Sequence, residues 1–234
     1  MTMRWSELLL ASAVGSVLWL DRFQFLRIMV SRPIVAAPLV GWVLGDLTAG
    51  LASGLLFEML WLARPPVGGY IPPDATLGSV ATAAVASAVR VNTGAELTGI
   101  VCLTFLALFP VTFLGSRIDV LLRLGLGKLA HRAEGTLARD ETLVLSLYFT
   151  AALVMGFVVA FLALFLVMLG GSVFVQEVWR ILPQQAHRAL GFGFFVIPLL
   201  GVADVMAGFG RKDDCVVFLV GCAVAVVAGL LIRF

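Results

Sequence analysis

Long uncharged stretches divide the chain, and their lengths predict its elements. Leu8 to Leu20 is apolar but short, and it is read as an uncleaved first span, with a signal-peptide core as the alternative. Asp21 to Arg32 mixes Arg22, Arg27 and Arg32 with Phe23, Phe25, Leu26, Ile28 and Met29, a pattern that suits a helix lying at a membrane interface. Pro33 to Ala63 is interrupted by only two charges, Asp46 and Glu58. It holds two GxxxG pairs, Gly41 with Gly45 and Gly50 with Gly54, which a continuous helix would place on opposite faces. A break near Gly45–Asp46, giving two helices or one kinked helix, fits the length equally well.

Residues 64–74, Arg-Pro-Pro-Val-Gly-Gly-Tyr-Ile-Pro-Pro-Asp, exclude regular helix. The uncharged run Ala75 to Val89 would make a helix of about 22 Å, too short to cross a hydrocarbon core of about 30 Å. Together they predict a re-entrant hairpin or half-helix capped by Asp74. Such backbone survives at membrane depth only when buried in protein or lining a wet cavity, so residues 65–74 are expected inside the protein, within reach of Glu58.

Thr93 and Glu96 have capping-box spacing and open an expected span from Leu97 to about Leu114. Residues 115–142, with Arg117, Arg123, Lys128, Arg132 and Arg139, are read as a basic loop, which by the distribution of positive charge belongs in the cytoplasm. Leu143 to Val175 is long enough for a tilted span plus a further segment, with a break expected at Gly170–Gly171. A loop at Gln176 to Arg188, an apolar run from Ala189 to Gly210 containing Asp204, and a last span from Cys215 to Ile232 complete a single membrane-embedded domain over residues 1–234. The fold class expected is all-α: a polytopic membrane protein with broken helices and at least one re-entrant hairpin.

Composition sharpens this picture. Of the 234 residues 61% are hydrophobic and 13% charged, and the mean hydropathy is +1.08, against about 45–50% apolar and about 25% charged in a soluble domain. A net charge of +2 with dispersed basic residues gives no nucleic-acid footprint. Cys102, Cys215 and Cys222 lie in apolar runs and read as packing residues, and with His131 and His187 far apart no metal site is recognisable. No Walker loop, GxSxG or HExxH is present, so no catalytic residue and no cofactor are expected, and the energy for any transport must come from elsewhere.

Charges at membrane depth cost at least about 2.5–3.5 kcal/mol and mark functional paths. Asp46, Gly50, Gly54 and Glu58 recur at intervals of four, a stripe that invites close approach. Glu58 reads as functional, Asp46 as a helix-break cap, Asp204 as structural, and Asp74 as a cap that can also accept hydrogen bonds from a polyol. Trp61 and Tyr70 offer flat surfaces for sugar stacking, with packing or the lipid interface as the plainer reading.

One combination is more specific than any of these. Ser31-Arg32-Pro33-Ile34-Val35, Pro38-Leu39-Val40-Gly41, Leu44-Gly45-Asp46-Leu47-Thr48-Ala49-Gly50-Leu51, Gly54, Glu58-Met59 and Pro66-Val67-Gly68-Gly69-Tyr70-Ile71-Pro72-Pro73-Asp74 resemble the IIC permease subunit of the mannose–fructose–sorbose family of the bacterial phosphotransferase system. The resemblance is strong over residues 15 to 90 and beyond that rests on hydrophobic layout. It implies a multi-pass protein of the bacterial cytoplasmic (inner) membrane that moves a mannose-type sugar with a IID membrane subunit. Soluble IIA and IIB proteins would carry the phosphohistidines, making the protein one member of a hetero-oligomer in membrane lipid, its pathway built from helical hairpins that move elevator-fashion. The matching motif makes Glu58, Gly68, Gly69, Tyr70, Asp74 and Thr76 the candidate sugar contacts. Two other functions compete: an ion- or proton-coupled carrier using Asp46, Glu58 and Asp204 as a relay, and a transport-inactive scaffold of the same fold.

Overall fold

The computed structural model describes residues 3–22, 24–62, 71–137 and 142–208, and over these the protein is all-α. Its centre is a helix that touches little but protein. This helix, α4 (Ala75–Thr93), is buried at every position from Thr76 to Val89. Its run of alanine, serine, threonine, glycine and valine explains why: small side chains let neighbouring backbones close in from every side. Around it stand α1 (Trp5–Leu20), α2 (Pro33–Val43), α3 (Leu47–Trp61), α5 (Leu97–Leu137) and α6 (Thr142–Ile181), while α7 (Gln184–Ala207) packs on α3 and α5 with most of its surface exposed.

The long apolar stretch from Pro33 does break at Gly45–Asp46. Gly45 has φ +81°, a conformation that side chains other than glycine's rarely adopt, and the Asp46 carboxylate accepts the Ala49 N–H at 3.1 Å to cap α3. Helices α2 and α3 fold against each other as a hairpin. Their 11 and 15 residues rise about 16 and 22 Å, so neither crosses a core of about 30 Å. Of the glycines that a single helix would place on opposite faces, Gly41 and Gly50 meet across this hairpin, and a Cβ on Gly50 would lie 2.6 Å from the Ala37 carbonyl oxygen and 2.8 Å from the Pro38 Cα.

Several expected boundaries differ. Among the described residues of 21–32 no interfacial helix forms, because the Asp21 carboxylate draws in the Ile28 and Ser31 N–H groups and ties the segment into an irregular strap. Ala75–Thr93 is longer than a half-helix, rising about 28 Å. Thr93 ends α4 rather than capping α5: its hydroxyl donates to the Val89 carbonyl, and Gly94 with φ 64° closes the helix on the Arg90 carbonyl. Residues 115–137, read as the first part of a basic loop, are helix, since α5 runs unbroken for 41 residues. The break expected at Gly170–Gly171 is absent; α6 continues to Ile181, with Gly171 seated against Leu108 and Val85. The loop expected at Gln176 to Arg188 shrinks to a turn at Leu182–Pro183, over which Trp179 and His187 stack with ring centres 3.9 Å apart. The last expected span, Cys215 to Ile232, lies outside the described residues.

Candidate functional site

The N-terminus of α4 gathers the polar groups. Asp74 has no exposed surface and caps the helix, its Oδ1 accepting the Leu77 N–H at 3.0 Å. The Trp19 indole N–H at the end of α1 donates to Oδ2 at 2.5 Å. Arg22 brings Nη1 to 2.7 Å from Oδ1, off the hydrogen-bonding direction, so this contact is an ion pair by charge alone; its Nη2 donates to the Pro72 carbonyl at 3.3 Å. The Asp74 N–H in turn donates to the Thr112 carbonyl of α5, and Gly115 one turn on leaves room for the carboxyl group. A helix N-terminus, an arginine and an indole donor thus share one buried carboxylate.

Glu58, near the end of α3, is paired as well. Its Oε1 accepts from Arg32 Nη1 at 2.8 Å and its Oε2 from the Ile34 N–H at 3.4 Å, so it closes the open end of the hairpin while satisfying a free donor in the first turn of α2. Thr76, buried in the first turn of α4, donates its hydroxyl to the Ser31 carbonyl at 2.6 Å. Glu58, Asp74 and Thr76 are therefore each held by a residue of the strap 21–32: Arg32, Arg22 and Ser31. No direct contact joins Glu58 to Asp74 among the described residues, and a site free of fixed cations, the simplest picture for a neutral sugar, is not what forms here.

Gly68, Gly69 and Tyr70 lie outside the described residues, as does most of the expected turn at 65–74; its last part, Ile71 to Asp74, is non-helical, with Ile71, Pro72 and Pro73 partly exposed and Asp74 buried. Trp61 stacks on Phe57, ring centres 6.0 Å apart, and meets Phe109, so it packs rather than stands free. Asp46 is architectural, as expected: Arg90 Nη1 donates to both its oxygens at 2.9 Å and fastens the hairpin tip to the end of α4. Among the described residues no group of His, Cys, Asp and Glu has the arrangement to hold a metal ion.

Reasoning from the sequence passed over Trp19, Asp21, Arg22 and Arg32. One signal was available for the arginines, since acids at membrane depth need counter-charges and these are the nearest ones preceding the hairpin. Asp119, also buried, pairs with Arg123 one turn further along α5. Away from this cluster, a groove of about 460 Å³ between α5, α6 and α7, lined by Cys102, Leu106, Val178, Leu190 and Val196, offers a sugar almost no hydrogen bonds.

Comparison with known proteins agrees with this architecture. The family described as "PTS system sorbose-specific iic component" matches residues 5–233. Among curated relatives, "PTS system mannose-specific EIIC component" of Escherichia coli (strain K12) is 26% identical over 83% of this chain and 68% of its own length. "PTS system sorbose-specific EIIC component" of Klebsiella pneumoniae is 27% identical over 90% and 74%. "Putative N-acetylgalactosamine permease IIC component 2" of Escherichia coli (strain K12) is 38% identical over 38% and 66%. The chain thus spans about two thirds of the length of these relatives. Among solved structures, one titled "Structure of membrane protein" superposes with a TM-score of 0.69 at 21% identity, covering 99% of this chain and 97% of that one. A second, titled "CryoEM Structure of Mannose Transporter ManYZ and Microcin E492 (MceA) complex", gives 0.57 at 21% identity, covering 100% and 97%. Both show the same fold.

Proposed function

Since the chain belongs to the sorbose-specific IIC family of the phosphotransferase system, we propose that it is the IIC permease subunit of such a system, translocating a mannose-type sugar across the bacterial cytoplasmic membrane. It works with a IID membrane subunit, while soluble IIA and IIB proteins supply the phosphoryl group. The observation that carries this reading is the hairpin of short helices α2–α3, whose Glu58 lies at the same end of the bundle as the capped N-terminus of α4. Sugar hydroxyls both donate and accept, and this end supplies carboxylate acceptors with arginine donors beside them.

Orientation follows from charge. The second half of α5 carries Arg117, Arg123 and Lys128 and extends past the level of Asp74, since Gly115 is the residue that meets it. By the positive-inside rule this end is cytoplasmic, which sets the acid–arginine cluster at the face where IIB delivers phosphate. The same basic stretch is the docking surface for IIB. A cysteine at Leu124 resists impermeant thiol reagents added outside intact cells, and labelling from outside would invert the orientation. Neutralising Arg123, Lys128 and Arg132 weakens IIB binding; unaltered binding would remove the docking role.

The direct test is sugar uptake and phosphorylation in cells supplied with the matching IIA, IIB and IID proteins. Glu58→Gln is expected to weaken uptake at unchanged membrane abundance, and normal uptake would take Glu58 out of the sugar site. The carrier with a proton relay is less well supported, because Asp46 and Glu58 are each engaged by an arginine.

A further inference from the structure

The strap between α1 and α2 has a property that a water-exposed loop does not need. Most of the backbone donors of residues 24–32 are taken within the chain although it is irregular: Gln24 and Phe25 donate to the Leu20 carbonyl, Arg27 to Phe25, Arg32 to Met29, and Ile28 and Ser31 to the buried Asp21 carboxylate. At the same time its large apolar side chains point away from the protein, with Phe25, Leu26, Ile28 and Met29 all exposed and Leu26 and Met29 at 67%. Leu26, Arg27 and Met29 have φ of 51°, 56° and 67°, a region that non-glycine residues enter only when something holds them there.

Depth supplies the second argument. Gln24 donates to the Ala152 carbonyl and lies against Gly156, 9 and 13 positions beyond Leu143, where the uncharged stretch of α6 begins. At 1.5 Å per residue that is about 14–20 Å along the apolar surface. Helix α1, with 16 residues, rises about 24 Å and falls short of a core of about 30 Å, and its outward side at Leu10 and Val17 leads toward the strap. Backbone in hydrocarbon must find its hydrogen bonds internally, and outward apolar side chains gain from lipid what they would lose in water.

We propose that residues 24–29 form a wedge seated in the lipid bilayer, with Leu26, Ile28 and Met29 among the acyl chains. Asp21 is the internal acceptor that lets an irregular backbone sit there. The bilayer is then a structural ligand of this protein, because the strap that it seats also carries Arg22, Ser31 and Arg32, the partners of Asp74, Thr76 and Glu58. Lipid seating does not depend on the sugar reading.

The experiment places a nitroxide label at Leu26→Cys, Ile28→Cys or Met29→Cys, in full-length chain carrying Cys102→Ala, Cys215→Ala and Cys222→Ala and reconstituted in bilayer nanodiscs. Collision rates are compared for oxygen, which concentrates in acyl chains, and a water-soluble nickel chelate. The expected result is a ratio of oxygen to nickel collisions above one at all three positions, and its loss at Ile28→Cys when Asp21→Ala is added. Free access of the nickel chelate would put the strap in water and overturn the proposal. Shielding from both reagents would also overturn it, in favour of a face covered by protein, and an unchanged ratio in the Asp21→Ala background would remove Asp21 as the group that seats the wedge.

Discussion

Asp74 and Arg22 form an ion pair 2.7 Å apart in which the carboxylate is wholly enclosed and the guanidinium nearly so. Removing one partner leaves the other charge buried without compensation, at a cost of about 3–5 kcal/mol, whereas removing both is far milder. Asp74→Asn keeps the cap acceptor and shape, so its loss of stability isolates the charge. Unfolding of the purified protein in detergent should show Asp74→Asn and Arg22→Met each strongly destabilised and the double variant much closer to wild type; additive losses would refute the pairing.

The indole of Trp19 donates to the same carboxylate. Trp19→Phe retains most of the buried ring and loses the donor, and a hydrogen bond to a charged group is worth about 1.5–3 kcal/mol. The midpoint of unfolding should fall accordingly. A shift near zero would mean that the contact contributes nothing.

Arg32 and Glu58 form the opposite case. The arginine is half exposed, and such pairs contribute about 0–1 kcal/mol. Arg32→Gln should therefore leave the unfolding midpoint within about 1 kcal/mol of wild type while lowering sugar uptake, if the pair belongs to the transport site. Equal losses of stability and uptake would assign it to the fold alone.

Asp21 makes a third prediction of this kind, since its carboxylate accepts the Ile28 N–H at 2.8 Å and the Ser31 N–H at 3.1 Å. Asp21→Asn keeps the size of the side chain but offers one acceptor oxygen in place of two, so one donor is left unmatched at a cost of about 1–3 kcal/mol. The unfolding midpoint in detergent should fall accordingly, and an unchanged midpoint would remove the carboxylate as the tie that holds the strap.

The hairpin makes a steric prediction. A methyl group on Gly50 meets backbone on the facing helix, which cannot yield as a side chain would, so Gly50→Ala should cost at least about 1–3 kcal/mol and reduce membrane abundance. Gly127, whose Cβ position is open, is the control, where alanine should gain up to about 1 kcal/mol in helix propensity. Similar behaviour of the two variants would dismiss the close approach of α2 and α3.

The membrane class, the family resemblance, the break at Gly45–Asp46 and the cap at Asp74 were legible in the sequence, because each rests on a local property. Apolar length sets what lipid accepts, glycine alone tolerates the backbone at position 45, and an aspartate ahead of a small-residue run offers an oxygen to free N–H groups. Local signals misled where packing outweighed them. Gly170–Gly171 and the polar residues of the second half of α5 read as breaks, yet glycine costs a helix only about 1 kcal/mol, less than the contacts that α5 and α6 make along each other and α4.

What the tertiary structure alone decided is which charges belong together. Arg32 and Glu58 are 26 positions apart, Asp46 and Arg90 44, and Trp19 and Asp74 55. Composition announces only that acids at membrane depth need partners. Hairpin closure and the burial of α4 select them, because a charge is neutralised by what lies within a few ångströms, and that distance is fixed by the packing of helices rather than by order along the chain.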